Sequence, residues 1–196
     1  MKRINDIFYS LQGEGHYVGT PAIFIRFSGC NLHCSFCDTD FSSYQKMSDA
    51  DIINKVEALR KAEVTPADQM KPMIVLTGGE PSLQVDSLLI ESFHALGYYV
   101  AMESNGTVDV PENLDWLTIS PKENIKVKKC NELKCIFDEC MEVSTRGILA
   151  DYYYLQPCDT GDTLRNQDIV YNCIKYIKQH PMWRLSLQTH KLIGFK

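Results

Sequence analysis

The run "MIVLT" (Met73–Thr77) has no polar residue before its terminal threonine, and the pair Gly78-Gly79 follows it at once. A strand of this kind has no face to offer to water. It belongs inside a sheet covered on both sides, which is the setting of parallel strands with helical crossovers; an antiparallel sheet with one wet face would read as alternating apolar and polar residues. The flanks agree. Upstream, "SDADIINKVEALRKAE" (Ser48–Glu63) opens with a capping box, Asp51 standing in for Glu opposite Ser48, and sets Ile52, Ile53, Val56 and Leu59 on one helical face. Downstream, "SLQVDSLLIESFHALG" (Ser82–Gly97) reads as a helix stopped by Gly97. The alternation runs on: "PAIFIRFS" (Pro21–Ser28), "YYVAMES", "LDWLTIS", "ELKCIF" and "YYYLQP" read as strands. "DTLRNQDIVYNCIKYIKQH" reads as a helix with Ile169, Val170, Cys173, Ile174 and Ile177 inward, and "WRLSLQTH" as a last strand.

Strand–helix alternation with buried strands implies an α/β fold with mostly parallel strands. The 196 residues are too few for a closed eight-fold barrel of about 250 residues. Several connections, notably that between Asn105 and Leu114, are too short for a full helix. A partial, open (βα)-type barrel in one domain, 1–196, is the expected architecture. In such sheets chemistry gathers beyond the C-terminal strand ends. That places the segment from Cys30, Thr77–Pro81, Glu103–Asn105, Ser120–Lys122 and Gln156–Asp159 on one rim.

Charge and leader analysis remove several classes. The formal net charge of -5 gives no basic footprint for nucleic acid or an anionic membrane. No apolar run is long enough to span a bilayer, and "MKRINDIFYS" lacks the apolar core of a secretion signal. Eight cysteines in such a chain imply a reducing compartment, hence a cytoplasmic protein whose thiols bind metal or stay reduced.

Three of those cysteines, Cys30, Cys34 and Cys37, follow the strand "AIFIRFS" at the spacing C-x3-C-x2-C, with Gly29, Asn31, His33 and Asp38 among them. That is not core composition. Three thiolates with no fourth ligand at a matching spacing fit an open zinc site. They also fit a cubane iron–sulfur cluster with one iron left to bind a ligand. The spacing, with Phe36 before the third cysteine, resembles the signature of the radical S-adenosylmethionine (SAM) enzymes, and "TGGEP" (Thr77–Pro81) resembles that superfamily's SAM-binding motif. The resemblance implies a [4Fe-4S] cluster on the three cysteines and a full or partial βα barrel. SAM would chelate the open iron and be split reductively to a 5'-deoxyadenosyl radical that abstracts a hydrogen atom.

A narrower resemblance covers nearly the whole chain. "SLQGEG", Arg26 in "FIRFSGCN", "CDT", "TGGEPSLQ", "ESNGT", "SPK", "ELK", "LQP" and "SLQTHK" occur in the order seen in the 7-carboxy-7-deazaguanine synthase (QueE) family. It implies a lyase that converts 6-carboxy-5,6,7,8-tetrahydropterin to 7-carboxy-7-deazaguanine with loss of ammonia, in queuosine and deazapurine biosynthesis. Mg2+ would assist, a reductant such as flavodoxin or ferredoxin would supply electrons, and the protein would be a homodimer. By this resemblance Phe36, Cys37, Asp38, Gly79, Ser120, Pro121, Lys122, Gln156, Pro157, Cys158 and Asp159 contact SAM, and Thr39 is the protein's ligand to Mg2+. Leu11, Gln12, Gly13, Arg26 and Thr77 contact the substrate, and the C-terminal residue, here Lys196, reaches it as well.

The chemistry of these residues suits the roles. Backbone groups at Leu11 and Gly13 and the Gln12 amide offer donors and acceptors to a pterin edge, Glu14 accepts from ring amino groups, and Arg26 forks a carboxylate. The other reading of Arg26 is a rim salt bridge, of Thr39 a turn cap, and of Glu103 and Asn105 a hydrogen-bonded turn rather than ribose contacts. Cys130, Cys135 and Cys140 are evenly spaced, but Cys135 falls in a strand where the three need not converge on a second cluster; Cys158 and Cys173 read as pocket wall and helix core. A glycyl-radical activase is the alternative enzyme and a zinc-binding interaction module the alternative class.

Overall fold

The computed structural model describes residues 1–35, 37, 40, 42–64, 70–138, 140 and 142–195. Phe36, Asp38, Thr39 and Lys196 therefore lie outside the described residues. Nine strands form one sheet in the order β3-β1-β2-β4-β5-β6-β7-β8-β9. They are β1 (Lys2–Leu11), β2 (Pro21–Phe27), β3 (Gln45–Met47), β4 (Met73–Gly78), β5 (Val100–Ser104), β6 (Trp116–Ile119), β7 (Lys129–Phe137), β8 (Leu149–Pro157) and β9 (Trp183–Leu185). From β2 through β4 to β9 every pairing is parallel, and the sheet is open, as expected.

The first strand is a finding. β1 pairs antiparallel with both β2 and β3, with a register shift between Ile4 and Asp6. The polar Asn5-Asp6 pair at that bulge hides the strand's alternation in the sequence. Lys2, on this strand, is buried and donates to Asp49 at 2.6 Å and Asp86 at 2.9 Å. Those aspartates begin α1 (Asp49–Glu63) and cap α2 (Ser87–Ala95), so one ammonium ties the strand to the start of each helix.

The helices follow their caps. Ser48 and Asp51 form the expected reciprocal capping box on α1, which buries Ile52 and Val56 with Ile53 and Leu59 at the margin. The helix expected over Ser82–Gly97 is divided: a 3-10 turn at Pro81–Leu83, then α2, because Asp86 caps afresh by accepting from Leu89 N. In α3 (Thr163–Gln179) the inward stripe is Ile169, Cys173, Tyr176 and Ile177; Ile174 is 40% exposed, one position past the edge of that stripe. The last strand ends at Leu185 and the chain turns into α4 (Thr189–Ile193), so "QTH" is not extended.

β4 carries out the prediction made from its composition: Met73, Ile74, Val75 and Leu76 are all buried. Ile74 and Leu76 join the large core under the helices with Ile23, Ile25, Phe93, Met102 and Leu133. Val75 joins a smaller cluster on the other face with Ala22, Met73, Ala101 and Trp116. That second cluster occupies the beginnings of the strands and is roofed by the turn after β1, where His16 stacks on Trp116 and lies against Tyr152. The concave face is thus closed at one end by rings, and its other end, the C-terminal strand rim, holds the cavity.

Candidate active site

A cavity of about 740 Å³ opens at that rim. Its wall includes Cys30, Cys34 and Cys37, and from the other expected rim segments Thr77, Gly79, Glu103, Asn105, Ser120, Lys122, Gln156, Pro157, Cys158 and Asp159. Leu11, Gln12, Gly13, Glu14 and Arg26 line it from the β1–β2 side. Pro121 is buried next to Lys122 but is not part of the wall.

The cysteine segment is held by backbone packing against "TGGEP". Gly79 N donates to Phe27 O and Glu80 N to Gly29 O, both at 2.9 Å. A Cβ on Gly79 would stand 2.1 Å from Gly29 O, and Gly78 has φ +117, so both positions require glycine. The Gly-Gly pair therefore sets the approach of the loop that carries the thiols, beyond any role in exposing backbone to a ligand. Glu80 supplies the rest. It is fully buried, and its carboxylate accepts from Ser82 N (3.1 Å), Ser82 Oγ (2.7 Å), Ser104 Oγ (2.8 Å) and Asn105 N (2.7 Å). Asn105 in turn donates to Asn31 Oδ1 at 3.1 Å and points its amide at Cys30 Sγ at 3.9 Å, while its own Oδ1 accepts from Thr107 N and Oγ1. The "ESNGT" stretch is thus a hydrogen-bonded turn that also lines the cavity.

Cys30 and Cys34 are half-buried and Cys37 is exposed. Burial pushes the Cys30 thiol above its ordinary value, against the hydrogen bond from Leu32 N at 3.4 Å. Among the described residues, no three histidine, cysteine or acidic side chains close around one ion. A cubane, whose outer ligands sit on separate irons, asks for a wider triangle than one ion does. Three soft donors on a single cavity wall, beside a glycine cradle that admits no side chain, have the chemistry to hold such a cluster.

The opposite wall brings the chain's two ends together. Thr189 N and Oγ1 both donate to Gly13 O, at 3.0 and 2.9 Å, and Gly15 N donates to Ser186 Oγ, which donates to Gln156 Oε1. His190 packs so closely on Gly13 that a Cβ there would meet its Nδ1 at 2.3 Å. Gln188 Nε2 donates to Glu14 Oε1 at 2.9 Å. The Gln12 amide, expected to face a ligand, donates to Glu103 Oε1 at 2.9 Å, and its oxygen accepts from Glu14 N. Arg26 reaches over the Phe8 ring, 5.2 Å from its centroid, and no ion pair joins it to an acid among the described residues. Lys122 Nζ donates to Ser120 Oγ at 2.9 Å, and burial pulls its ammonium below the ordinary lysine value.

Sequence reasoning gave Glu80, Lys134, Gln188 and His190 no specific place. "SLQTHK" and "ELK" were visible as stretches, but a strand reading of the first and the interior position of the second concealed their direction. Cys130 and Cys135 are buried in β7 and Cys140 is exposed; Cys135 Sγ donates to Ser144 O at 3.7 Å.

Residues 24–121 match the family described as the Radical SAM superfamily. Along its full length the chain is 46% identical to a 7-carboxy-7-deazaguanine synthase of Bacteroides thetaiotaomicron, covering 100% of both proteins. The chain belongs to the 7-carboxy-7-deazaguanine synthase family. A synthase of Burkholderia multivorans of the same name is 38% identical over 97% of each chain. The crystal structure of QueE from Escherichia coli superposes with a TM-score of 0.75 at 25% identity, covering 96% of this chain and 94% of that one. Membership of the radical SAM superfamily implies a [4Fe-4S] cluster and SAM. The glycyl-radical activase and the zinc-binding module are not favoured by these relatives. No helix among the described residues is long and apolar enough to cross a membrane.

Proposed function

We propose that this chain is a radical SAM lyase that converts 6-carboxy-5,6,7,8-tetrahydropterin to 7-carboxy-7-deazaguanine with loss of ammonia. One observation carries the reading: the two stretches that distinguish the family from other radical SAM enzymes, "LQGEG" and "SLQTHK", meet at the Gly13–Thr189 contact across the cavity from the cysteines.

Cys30, Cys34 and Cys37 would hold the cluster. When bound, cluster and SAM supply a one-electron reduction and a hydrogen-atom abstraction. Gly79 leaves backbone bare for the methionyl end of SAM, Ser120, Lys122 and Gln156–Asp159 line the cavity for the rest of it, and Phe36, Cys37, Asp38 and Pro121 are further SAM contacts. Arg26, unpaired with any acid among the described residues and half-buried on β2, holds the substrate carboxylate in a two-pronged geometry. Thr77, at the end of the neighbouring strand, is paired with Arg26 in register and lies beside that carboxylate. The Gly13 N–H, the backbone of Leu11 and the Glu14 carboxylate meet the pterin edge, with Gln12 bonded to Glu103 and to Glu14 N beside them. Thr39 is the oxygen ligand to Mg2+ and Lys196 the C-terminal contact. The residues form one domain, 1–196.

The partners are a low-potential electron donor of the flavodoxin or ferredoxin kind and a second copy of the chain. The outer face of α3, where Leu164 and Tyr171 are 75% and 69% exposed, supports the homodimer.

The test is anaerobic reconstitution with iron and sulfide, followed by incubation with carboxytetrahydropterin, SAM, Mg2+ and a reductant. Formation of 7-carboxy-7-deazaguanine is expected, and its loss in Cys30→Ala, Cys34→Ala and Cys37→Ala. A reconstituted wild-type protein that cleaves SAM but makes no deazaguanine removes the reading.

A further inference from the structure

The floor of the cavity contains a group that the reading above does not use. Lys134, two residues into "ELK" on β7, is a lysine with only 4% exposure. Its ammonium donates to Glu14 Oε2 at 2.5 Å and lies 3.5 Å from Glu103 Oε2. Glu14 comes from the turn after β1 and Glu103 from β5, so one cation on a third strand joins two acidic side chains that face the cavity. Glu132, on the same face of β7, is also buried and accepts from His16 N at 3.0 Å, fastening the turn just beyond Glu14. Gly15 lies so close to Glu132 that a Cβ would meet its Oε1 at 2.1 Å.

Three carboxyl groups thus surround one ammonium in a buried site. Ionisation of all three would leave a net negative charge that burial does not tolerate. The geometry distributes the roles: Lys134 contacts Glu14 and Glu103, whereas Glu132 has no ion pair to it within 4 Å. Burial by itself raises the Glu14 carboxyl, but the Lys134 charge and hydrogen bond, the Gln188 amide and the His190 charge outweigh it, so Glu14 is held below the ordinary value. For Glu132 burial wins and its carboxyl is pushed up. Among the described residues, His190 of α4 and Lys122, beyond β6, are further charged groups that face this cluster.

We propose that Lys134 is a positioning residue for the pterin reaction: it clamps the Glu14 carboxylate in one orientation and one charge state toward the cavity, with Glu132 fastening the turn that carries Glu14. This deepens the proposed function and rests on it. An ionised carboxylate is an acceptor only. Held so, Glu14 selects a ring edge that presents two N–H donors, as the amino-pyrimidine edge of a pterin does, and discriminates against an edge that presents carbonyl oxygens.

The experiment compares kcat/KM for carboxytetrahydropterin from pH 5.5 to 8.5 in wild type and Lys134→Met, with reductive SAM cleavage in the absence of pterin as the control at each pH. Without its cation, burial pushes the Glu14 carboxyl up, so it takes up its proton at a higher pH than in wild type. The expected result is a new acidic limb: activity at pH 6 relative to pH 8 falls at least about tenfold further than in wild type, and SAM cleavage is unchanged (one pH unit of displaced titration is about a tenfold change in ionised fraction). A role in packing alone lowers kcat/KM equally at every pH, and that result overturns the proposal.

Should Lys134→Met not fold, the pair Glu14→Gln and Lys134→Met/Glu14→Gln decides, because removing both charges restores balance in the interior. The double variant is expected within about threefold of Glu14→Gln, since Lys134 acts through Glu14; a further loss of tenfold or more shows an independent role and overturns the proposal. Wild-type protein that makes no deazaguanine bears on the proposed function. A pH profile of Lys134→Met that matches an active wild type overturns this inference alone.

Discussion

Glu80→Gln is the most informative single substitution in the fold. The native carboxylate receives three hydrogen bonds on Oε1 and one, from Asn105 N at 2.7 Å, on Oε2. Glutamine has the same shape but must place an NH2 where one oxygen was. Putting it at Oε2 sacrifices fewest bonds, yet turns Asn105 N–H···O into two opposed donors. A bond to a charged group contributes about 1.5–3 kcal/mol net, and a buried donor left without a partner costs about 1–3 kcal/mol. Part is offset because a neutral amide is less costly to bury than a charge, leaving an expected loss of about 2–4 kcal/mol. For a chain of this length each kcal/mol moves Tm by about 2–4 °C, so Tm should fall by about 5–15 °C.

The assay is thermal and urea unfolding of the metal-free protein under reductant, followed by circular dichroism, with iron content after reconstitution as a second readout. Iron retention should fall too, because Asn105 links Glu80 to Asn31 and Cys30. Ser104→Ala, which removes one of the four donors, should cost about 1 kcal/mol. A Glu80→Gln loss below about 0.5 kcal/mol, the scatter of surface substitutions, would refute the view that this carboxylate organises the rim.

Gly79→Ala should abolish iron loading, since its Cβ would stand 2.1 Å from the Gly29 carbonyl oxygen and displace the segment leading to Cys30; normal iron content after reconstitution would contradict this. Arg26→Met should lower kcat/KM for the pterin by about 10–100-fold, the value of about 1.5–3 kcal/mol for a charge-assisted contact, without changing SAM cleavage in the absence of pterin. Hydrogen bonds from Lys191, Gly161 N and Asn166 hold the Asp159 carboxyl at about 2. Because the folded value lies below the unfolded one, its contribution is present above pH about 4 and is lost as pH falls toward about 2. The difference in urea midpoint between wild type and Asp159→Asn should therefore shrink across that window and stay constant from pH 5 to 8. Anaerobic reconstitution should give a brown protein with about four irons per chain.

The parts legible in the sequence were those governed by local pattern. The all-apolar β4, the capped α1 and the stripe of α3 follow from periodicity and caps, because each element's own side chains decide which face is buried. The cysteine spacing and the glycine pair after β4 were legible for the same reason: a loop at a strand end has few directions in which to point. What only the tertiary structure decided concerns residues far apart in the chain. β1 was hidden by its bulge. Gln12 turned out to hold Glu103 from 91 residues away, Glu14 to meet Lys134 across 120, and Gly13 to meet Thr189 across 176. Such pairings carry no periodic signature. A buried lysine or glutamate reads like any charged residue until the sheet brings its partner within hydrogen-bond distance, since its charge is tolerated only where opposite charge and donors converge.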